Sequence, residues 1–287
     1  MTCNLVYLYL IAPLHTGGTT QEGNLLGIAR ESHTNLPYAP SSTNRGKLRV
    51  SETNNVKRVK LFGPQLEDIK NSEFVQEYEQ ATGKKLTQLE QGDIWIGDAS
   101  ILWLPVPSLS HGVIWISCPI LLERWARFRN MNNHISAEEL NNLEYKTNLD
   151  VGKPVYLKDA VISANYLKKW NNKDEWKKFV PQSQQTNSIH KILILPDPYC
   201  ITLIQMSLWR QVKIKLDIHK TVDGGFRYEE AIPPDTVMYF PWGITSQTNG
   251  RTNSSTEDFQ ALIKANSLMQ IGGQEGLGRG FVQTWTE

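Results

Sequence analysis

Between Val212 and His219 the chain alternates strictly: Val212, Ile214, Leu216 and Ile218 are apolar, while Lys213, Lys215, Asp217 and His219 are polar. Side chains of a strand project to opposite faces in turn. A period of two therefore specifies an extended segment with one apolar and one mostly basic face. Thr221–Gly225 supplies turn residues and Phe226–Glu230 runs back, which predicts a β-hairpin over Gln211–Glu230. The adjacent Glu229 and Glu230 at its exit point to opposite faces, cannot jointly hold one metal, and read as surface solvation.

Around this hairpin the pattern is mixed α and β. Residues 4–12 (NLVYLYLIA) are apolar and bounded by Pro13, as a buried first strand is. His15–Glu31, with four glycines, reads as a long loop and hence a site candidate. Ser41–Ser51 predicts a short helix with Ser42 or Thr43 as N-cap. Residues 65–81 predict a helix stopped at Gly83. Strands follow at Asp93–Ile96, Ile101–Leu104 and Val113–Ser117, then a helix at Pro119–Arg129 with its proline in the first turn. Residues 130–150 are expected to be peripheral. Beyond them the sequence predicts a helix over Asn165–Val180, a polar loop at Pro181–Ser188 and a strand at Lys191–Leu195. A helix over Tyr199–Arg210, a strand at Thr236–Phe240 and a helix at Glu257–Met269 complete the reading. Ile271–Gly280 (IGGQEGLGRG) then connects to a last strand, Phe281–Thr286.

Composition narrows the class. With 287 residues, 40% hydrophobic, 21% charged and nine tryptophans, the chain can bury a large core and is not disordered. Its longest apolar stretch, Leu5–Leu14, is too short to span a bilayer, so no membrane partner is expected. Three widely spaced cysteines argue against a disulfide framework and for a reducing cytoplasm. Net charge is +1, yet Arg30, Arg45, Lys47, Arg49, Lys57, Arg58 and Lys60 face only Glu31 and Glu52 in their stretch. Such a cluster is ordinarily a solvated face. The hydroxyls of Ser41, Ser42 and Thr43 beside Arg45 and Lys47 also suit phosphate oxygens at a helix start.

Two further features bear on chemistry. The glycines of Ile271–Gly280 could let backbone N–H groups approach an anion, with Arg279 alongside. A tight connection is the simpler reading, and the context is not that of a dinucleotide fingerprint. His15 could be an acid/base, a phosphate ligand or a hydrogen-bonded structural residue, the last being the default. No metal-ligand spacing and no Ser-His-Asp arrangement is present.

Taken in order, these pieces resemble the RAMP superfamily, and within it the repeated backbone subunit of the Cmr (type III-B) CRISPR effector complex. The matching stretches are LYLIAPLHTGG, IARESHTNLPYAPSSTNRGKLR, the central GDASILWLPVPS…SCPILLER, KTVDGGFRYEEAIPPDT and IGGQEGLGRG. The resemblance implies an α+β fold: a ferredoxin-like, RRM-related core with helical insertions and a protruding β-hairpin thumb. A single domain over 1–287 would carry an insertion at about 62–92, a helical insertion at about 119–180 and the thumb at about 205–235. It implies a cytoplasmic subunit of antiviral defence that stacks with other RAMP copies or paralogues, and further type III subunits, along a CRISPR guide RNA. His15, Arg30, Ser42, Thr43, Arg45, Lys47, Arg49, Gly272, Gly273 and Arg279 would hold guide phosphates without reading bases. The thumb, through Val212, Ile214, Leu216, Ile218 and Phe226, would wedge the duplex formed with a complementary target RNA.

Active members of the family carry an aspartate in the first loop for metal-dependent cutting of the target. Counting back from Arg30–Glu31, its place falls at Leu25, beside Asn24. Neither is a good ligand for a hard cation such as Mg²⁺, so binding is expected to persist without cleavage and no cofactor is needed for it. The alternative is an active metal-dependent endoribonuclease using a substitute acid such as Glu22. A metal-free guide-processing enzyme using His15 or His33 is a further competitor. Arg45 stands for a family lysine and Pro107 for an arginine.

Overall fold

The computed structural model describes residues 3–22, 25–129, 142–170, 172, 174–246 and 252–287. In chain order the first strands are β1 (Cys3–Leu10), β2 (Gly17–Glu22), β3 (Leu25–Ile28) and β4 (Tyr38–Ala39). Helices α1 (Ser41–Ser51), α2 (Asn55–Phe62), α3 (Leu66–Lys70) and α4 (Ser72–Thr82) follow. Next come β5 (Ile94–Ile96), β6 (Ala99–Ser108), β7 (Gly112–Ser117) and α5 (Pro119–Phe128). Short strands β8 (Lys146–Thr147), β9 (Val155–Tyr156), β10 (Val161–Ile162) and β11 (Lys168–Lys169) precede β12 (Ile192–Ile194) and α6 (Asp197–Met206). The chain closes with β13 (Trp209–Leu216), β14 (Val222–Ala231), β15 (Val237–Ile244), α7 (Thr252–Ala265), β16 (Leu268–Gln270) and β17 (Phe281–Thr286).

The main sheet runs β11-β8-β12-β7-β6-β15-β1-β17-β16, with β4 on β6 and β5 on β15. β1 lies between β15 and β17, antiparallel to both, and is buried on both faces. Val6, Leu8 and Leu10 pack with Leu48 of α1, Phe62 of α2 and Phe259 of α7. Leu5 and Tyr7 pack with Trp103 and with Leu122 and Trp125 of α5, where Trp125 Nε1 donates to the Tyr7 hydroxyl at 3.0 Å. An uninterrupted apolar strand is what such two-sided burial selects. The result is the α+β fold that the sequence implies. α3 and α4 form a satellite in which Val59, Phe74, Tyr78 and Leu86 make a small core of their own. No helix of the described residues is long and apolar enough to cross a membrane.

Several expectations are corrected. His15–Glu31 is not an open loop: β2 and β3 pair with Gln21 opposite Leu26 and Glu22 opposite Leu25. Asn165–Val180 is not an α-helix. Lys168–Lys169 pairs with β8, and Glu175–Phe179 is a 3-10 turn. Asn172 Oδ1 takes the Asp174 N–H at 3.1 Å, a local bond that competes with helix formation. Trp170 meanwhile packs against Phe179, the ring centroids 5.4 Å apart and tilted by 31°. The helix expected at 65–81 breaks at Asn71, whose side chain caps α4 by accepting from Phe74 N. The helix expected at Tyr199–Arg210 is shifted to Asp197–Met206, and Trp209 and Arg210 already belong to β13. The helix expected to run to Met269 ends at Ala265, because Leu268–Gln270 pairs with β17.

Candidate nucleic-acid interface

The hairpin forms with Val212 opposite Tyr228, Lys213 opposite Arg227 and Ile214 opposite Phe226. Its turn comes earlier than the glycines suggest. Asp217 accepts from the backbone N–H groups of His219 and Thr221 and from the Thr221 hydroxyl, so Asp217–Thr221 reverses the chain and Gly224 and Gly225 lie in β14. Cross-strand partners share a face. Val212, Ile214, Leu216, Phe226 and Tyr228 therefore form one apolar face, all about half exposed, with Ile218 at the tip 92% exposed. Lys213, Lys215 and Arg227 lie on the other. Unpaired, a face this apolar marks a contact surface. β3 adds to the same sheet, parallel to β14, with Leu25 in register with Tyr228.

The base of the hairpin holds what the sequence reading missed. Glu229 and Glu230 are not solvated: they are 0% and 1% exposed. Glu230 accepts from Arg30 Nη2 at 2.7 Å and from Arg210 Nε at 2.9 Å, and its backbone carbonyl meets His15 Nδ1 at 2.8 Å. Glu229, on the opposite face, pairs with Lys213 at 2.8 Å, Arg227 at 3.1 Å and Arg279 at 3.5 Å. Arg279 also lies 4.4 Å over the Trp209 ring and donates to Gln211. Two buried carboxylates thus fasten the hairpin to the first loop and to the glycine-rich loop. A signal for this was available: like charges directly opposite, as Lys213 and Arg227 are, need a neutralising neighbour.

Burial raises the Glu229 pKa, but the Lys213 hydrogen bond and charge, the Gln274 amide and Arg227 outweigh it and leave the carboxyl below its ordinary value. A depressed folded pKa contributes stability in full above the unfolded value, about 4.3. That contribution is lost as pH falls through the lower folded value. Urea midpoints should therefore fall between pH 5 and pH 3, and Glu229→Gln should flatten that fall. An unchanged pH profile would contradict the pairing.

The basic stretch is largely turned inward. Arg49, 9% exposed, donates from Nη1 to the carbonyls of Phe62 and Gly63 and lies 3.6 Å from Asp68. Arg58 also binds Asp68, and Lys57 and Lys60 both bind Asp258. Arg45 donates to the Phe62 carbonyl and lies over its ring. Lys47 is half-buried and makes no ion pair among the described residues. α1 begins after Pro40 with no side-chain cap, and Asp98 Oδ1 accepts from Ser41 N at 2.6 Å. The chain's own carboxylate therefore already sits at this helix start, with Ser42 exposed and Thr43 half-exposed beside it.

The glycine-rich loop closes against the end of β1. Gly273 N donates to His15 O and Gly280 N to Pro13 O, both at 2.9 Å. Gly272 has φ +75, and a Cβ there would lie 2.5 Å from His15 O. His15, 5% exposed, is thus a hydrogen-bonded structural residue, and Arg279 is 3% exposed. His33 Nε2 lies 3.1 Å from Arg124 Nη2. Among the described residues no three His, Cys, Asp or Glu side chains are grouped to hold a metal. Leu25 is a half-buried apolar residue at the start of β3. Asn24 lies outside the described residues; Glu22 is described only by its backbone, opposite Leu25.

Comparison with known proteins places this geometry. A family model described as the RAMP superfamily matches residues 7–283. The chain is 28% identical to the CRISPR system Cmr endoribonuclease Cmr4 of Pyrococcus furiosus, over 99% of this chain and 95% of that protein. It is similar to the crystal structure of oligomeric Cmr4 from Pyrococcus furiosus, with a TM-score of 0.69, 24% identity, and coverage of 99% and 98% of the two chains. A chain of the type III-B Cmr-beta complex bound to cognate target RNA gives a TM-score of 0.73 at 18% identity, covering 100% of this chain and 97% of that one.

Proposed function

The chain belongs to the RAMP superfamily, and on that footing we propose that it is a guide-RNA-binding backbone subunit of a type III CRISPR effector complex. The observation that carries the reading is the hairpin Trp209–Ala231. It is a projecting arm with an apolar wedge on one face and cations on the other, rooted in buried ion pairs. Apolar side chains can separate stacked bases, and cations hold phosphates whatever the sequence, as a guide of varying spacer requires. Its likeness to a Cmr4 and to a chain of a Cmr complex with target RNA supports the assignment. Guide RNA, target RNA, neighbouring RAMP copies and other type III subunits are the partners it would meet.

The burial of the basic stretch changes which residues are expected to touch the guide. Lys47 and the Ser42 and Thr43 hydroxyls remain available; on the arm Lys215 and Arg227 stay exposed although they pair with Asp223 and Glu229, while Lys213 is held by Glu229. Lys47→Glu should weaken guide binding by roughly tenfold near 0.15 M salt and lower the salt slope by about one unit, leaving the melting temperature unchanged. Arg49→Ala should do the reverse, costing about 1–3 kcal/mol of stability by leaving the Gly63 carbonyl without its donor and Asp68 with Arg58 alone. Filter binding and urea titration of both variants decide it: equal affinity loss in the two would return Arg49 to the RNA.

Cleavage of target by this chain is not part of the proposal, because Leu25 cannot ligate a metal. One observation favours the second reading, an active endoribonuclease: Glu22 stands opposite Leu25 in the β2–β3 ladder. Labelled target RNA incubated with the assembled complex and Mg²⁺ should stay intact. Cuts at a regular spacing that vanish in Glu22→Ala would establish the nuclease.

A further inference from the structure

Away from the hairpin, α6 turns Tyr199, Thr202, Leu203 and Met206 to one side, the spacing of a single helical face. They line a cleft of about 390 Å³ whose other wall carries Tyr145, Asp159 and Tyr166. Tyr166 and Tyr199 are 59% and 60% exposed and Met206 is 44% exposed, an apolar patch with no cover among the described residues. It is held rigidly. Tyr145 and Tyr166 stack at 5.3 Å with 24° between planes. Tyr145 has φ +64, a left-handed backbone rare for an aromatic residue. That conformation is fixed by Tyr145 N donating to Ile194 O and Lys168 N donating to Tyr145 O. A constraint of this kind persists only where the surroundings enforce it, and it commonly marks a binding position.

The charge of the cleft is as informative as its shape. Among the described residues, Asp159 is the one charged residue lining it. Its Oδ2 is buried and accepts no hydrogen bond, the adjacent Lys158 ammonium reaching only to 3.8 Å. The Asp159 side chain is 22% exposed and lines the cleft, so its negative charge faces whatever enters. Aromatic faces beside it attract a cation, and a carboxylate repels phosphate, which argues against RNA here. From this we infer that the Tyr145–Tyr166–Tyr199–Asp159 cleft docks an arginine side chain presented by another protein subunit. A guanidinium is flat enough to stack on the tyrosines while its N–H groups reach the exposed part of the Asp159 carboxyl. A lysine ammonium does only the second. The inference rests on the preceding reading in one respect: it supposes that the chain assembles with other subunits.

The test places p-benzoylphenylalanine at Thr202 of the full chain within the assembled complex, irradiates it, and identifies the attached partner by mass spectrometry. The expected product is a peptide of another polypeptide with an arginine within about five residues of the attachment point. Its yield should fall at least fivefold in Asp159→Asn, with the melting temperature unchanged, and in Tyr199→Ala. Attachment to RNA, attachment within the same chain, no attachment, or a yield indifferent to Asp159→Asn would each overturn it. Guide RNA content is read in the same samples. Its absence refutes the guide-binding assignment, while the cross-link still decides the cleft.

Discussion

Glu230→Ala is expected to destabilise the protein by about 3–5 kcal/mol, the scale for removing one member of a buried charged pair and stranding its partners. The carboxylate is 1% exposed and takes bonds from Arg30 and Arg210. Those arginines come from the first loop and from β13, so the loss should be uneven along the chain. Amide exchange should quicken most over Trp209–Ala231 and Leu25–Arg30, where the arm meets its base. Guide binding should weaken with it, because an arm that pivots cannot hold its cations in register. Glu230→Gln, which keeps the shape and part of the hydrogen bonding, should fall between wild type and alanine. A urea-derived loss below about 1 kcal/mol for the alanine variant would mean that the pairs are incidental.

The second large effect is expected at Gly280→Ala. Gly280 has φ +76, and a Cβ there would lie 1.8 Å from the Ile271 carbonyl oxygen, a severe overlap with backbone rather than with a flexible side chain. The same stretch joins Ile271 N to Gly280 O and Gly280 N to Pro13 O. The loop therefore cannot yield without parting from the end of β1. The loss should exceed about 3 kcal/mol, adding left-handed strain to a broken contact, and soluble yield at 37 °C should drop sharply. Gly276→Ala in the same loop meets no atom within 4 Å and should be nearly neutral. If alanine at 280 left stability intact but abolished RNA binding, the loop would be a phosphate cradle after all.

How much of this was legible beforehand differs from element to element. The hairpin could be read because period-two alternation is a local property of a strand. The first strand could be read because burial on both faces demands an unbroken apolar run. The family could be read from the order of its motifs, which the family model matches over residues 7–283. The fate of the charges could not. A run of seven cations looks alike whether it faces solvent or is paired internally. Arg49 and Arg58 find Asp68, and Lys57 and Lys60 find Asp258, the latter about two hundred positions away in sequence. Glu229 and Glu230 looked solvated for the same reason.

Sequence alone thus determined that the hairpin and the first strand extend, which face of the hairpin is apolar, and which family the chain resembles, since these follow from side-chain periodicity and motif order. Only the tertiary structure decided which cations are free and which acids are buried. It also decided that the glycine-rich loop fastens the chain and that a tyrosine-lined cleft opens beside α6. The physical reason is that the energy of a charge depends on its distance from others and on its access to water, and both are settled when distant segments meet.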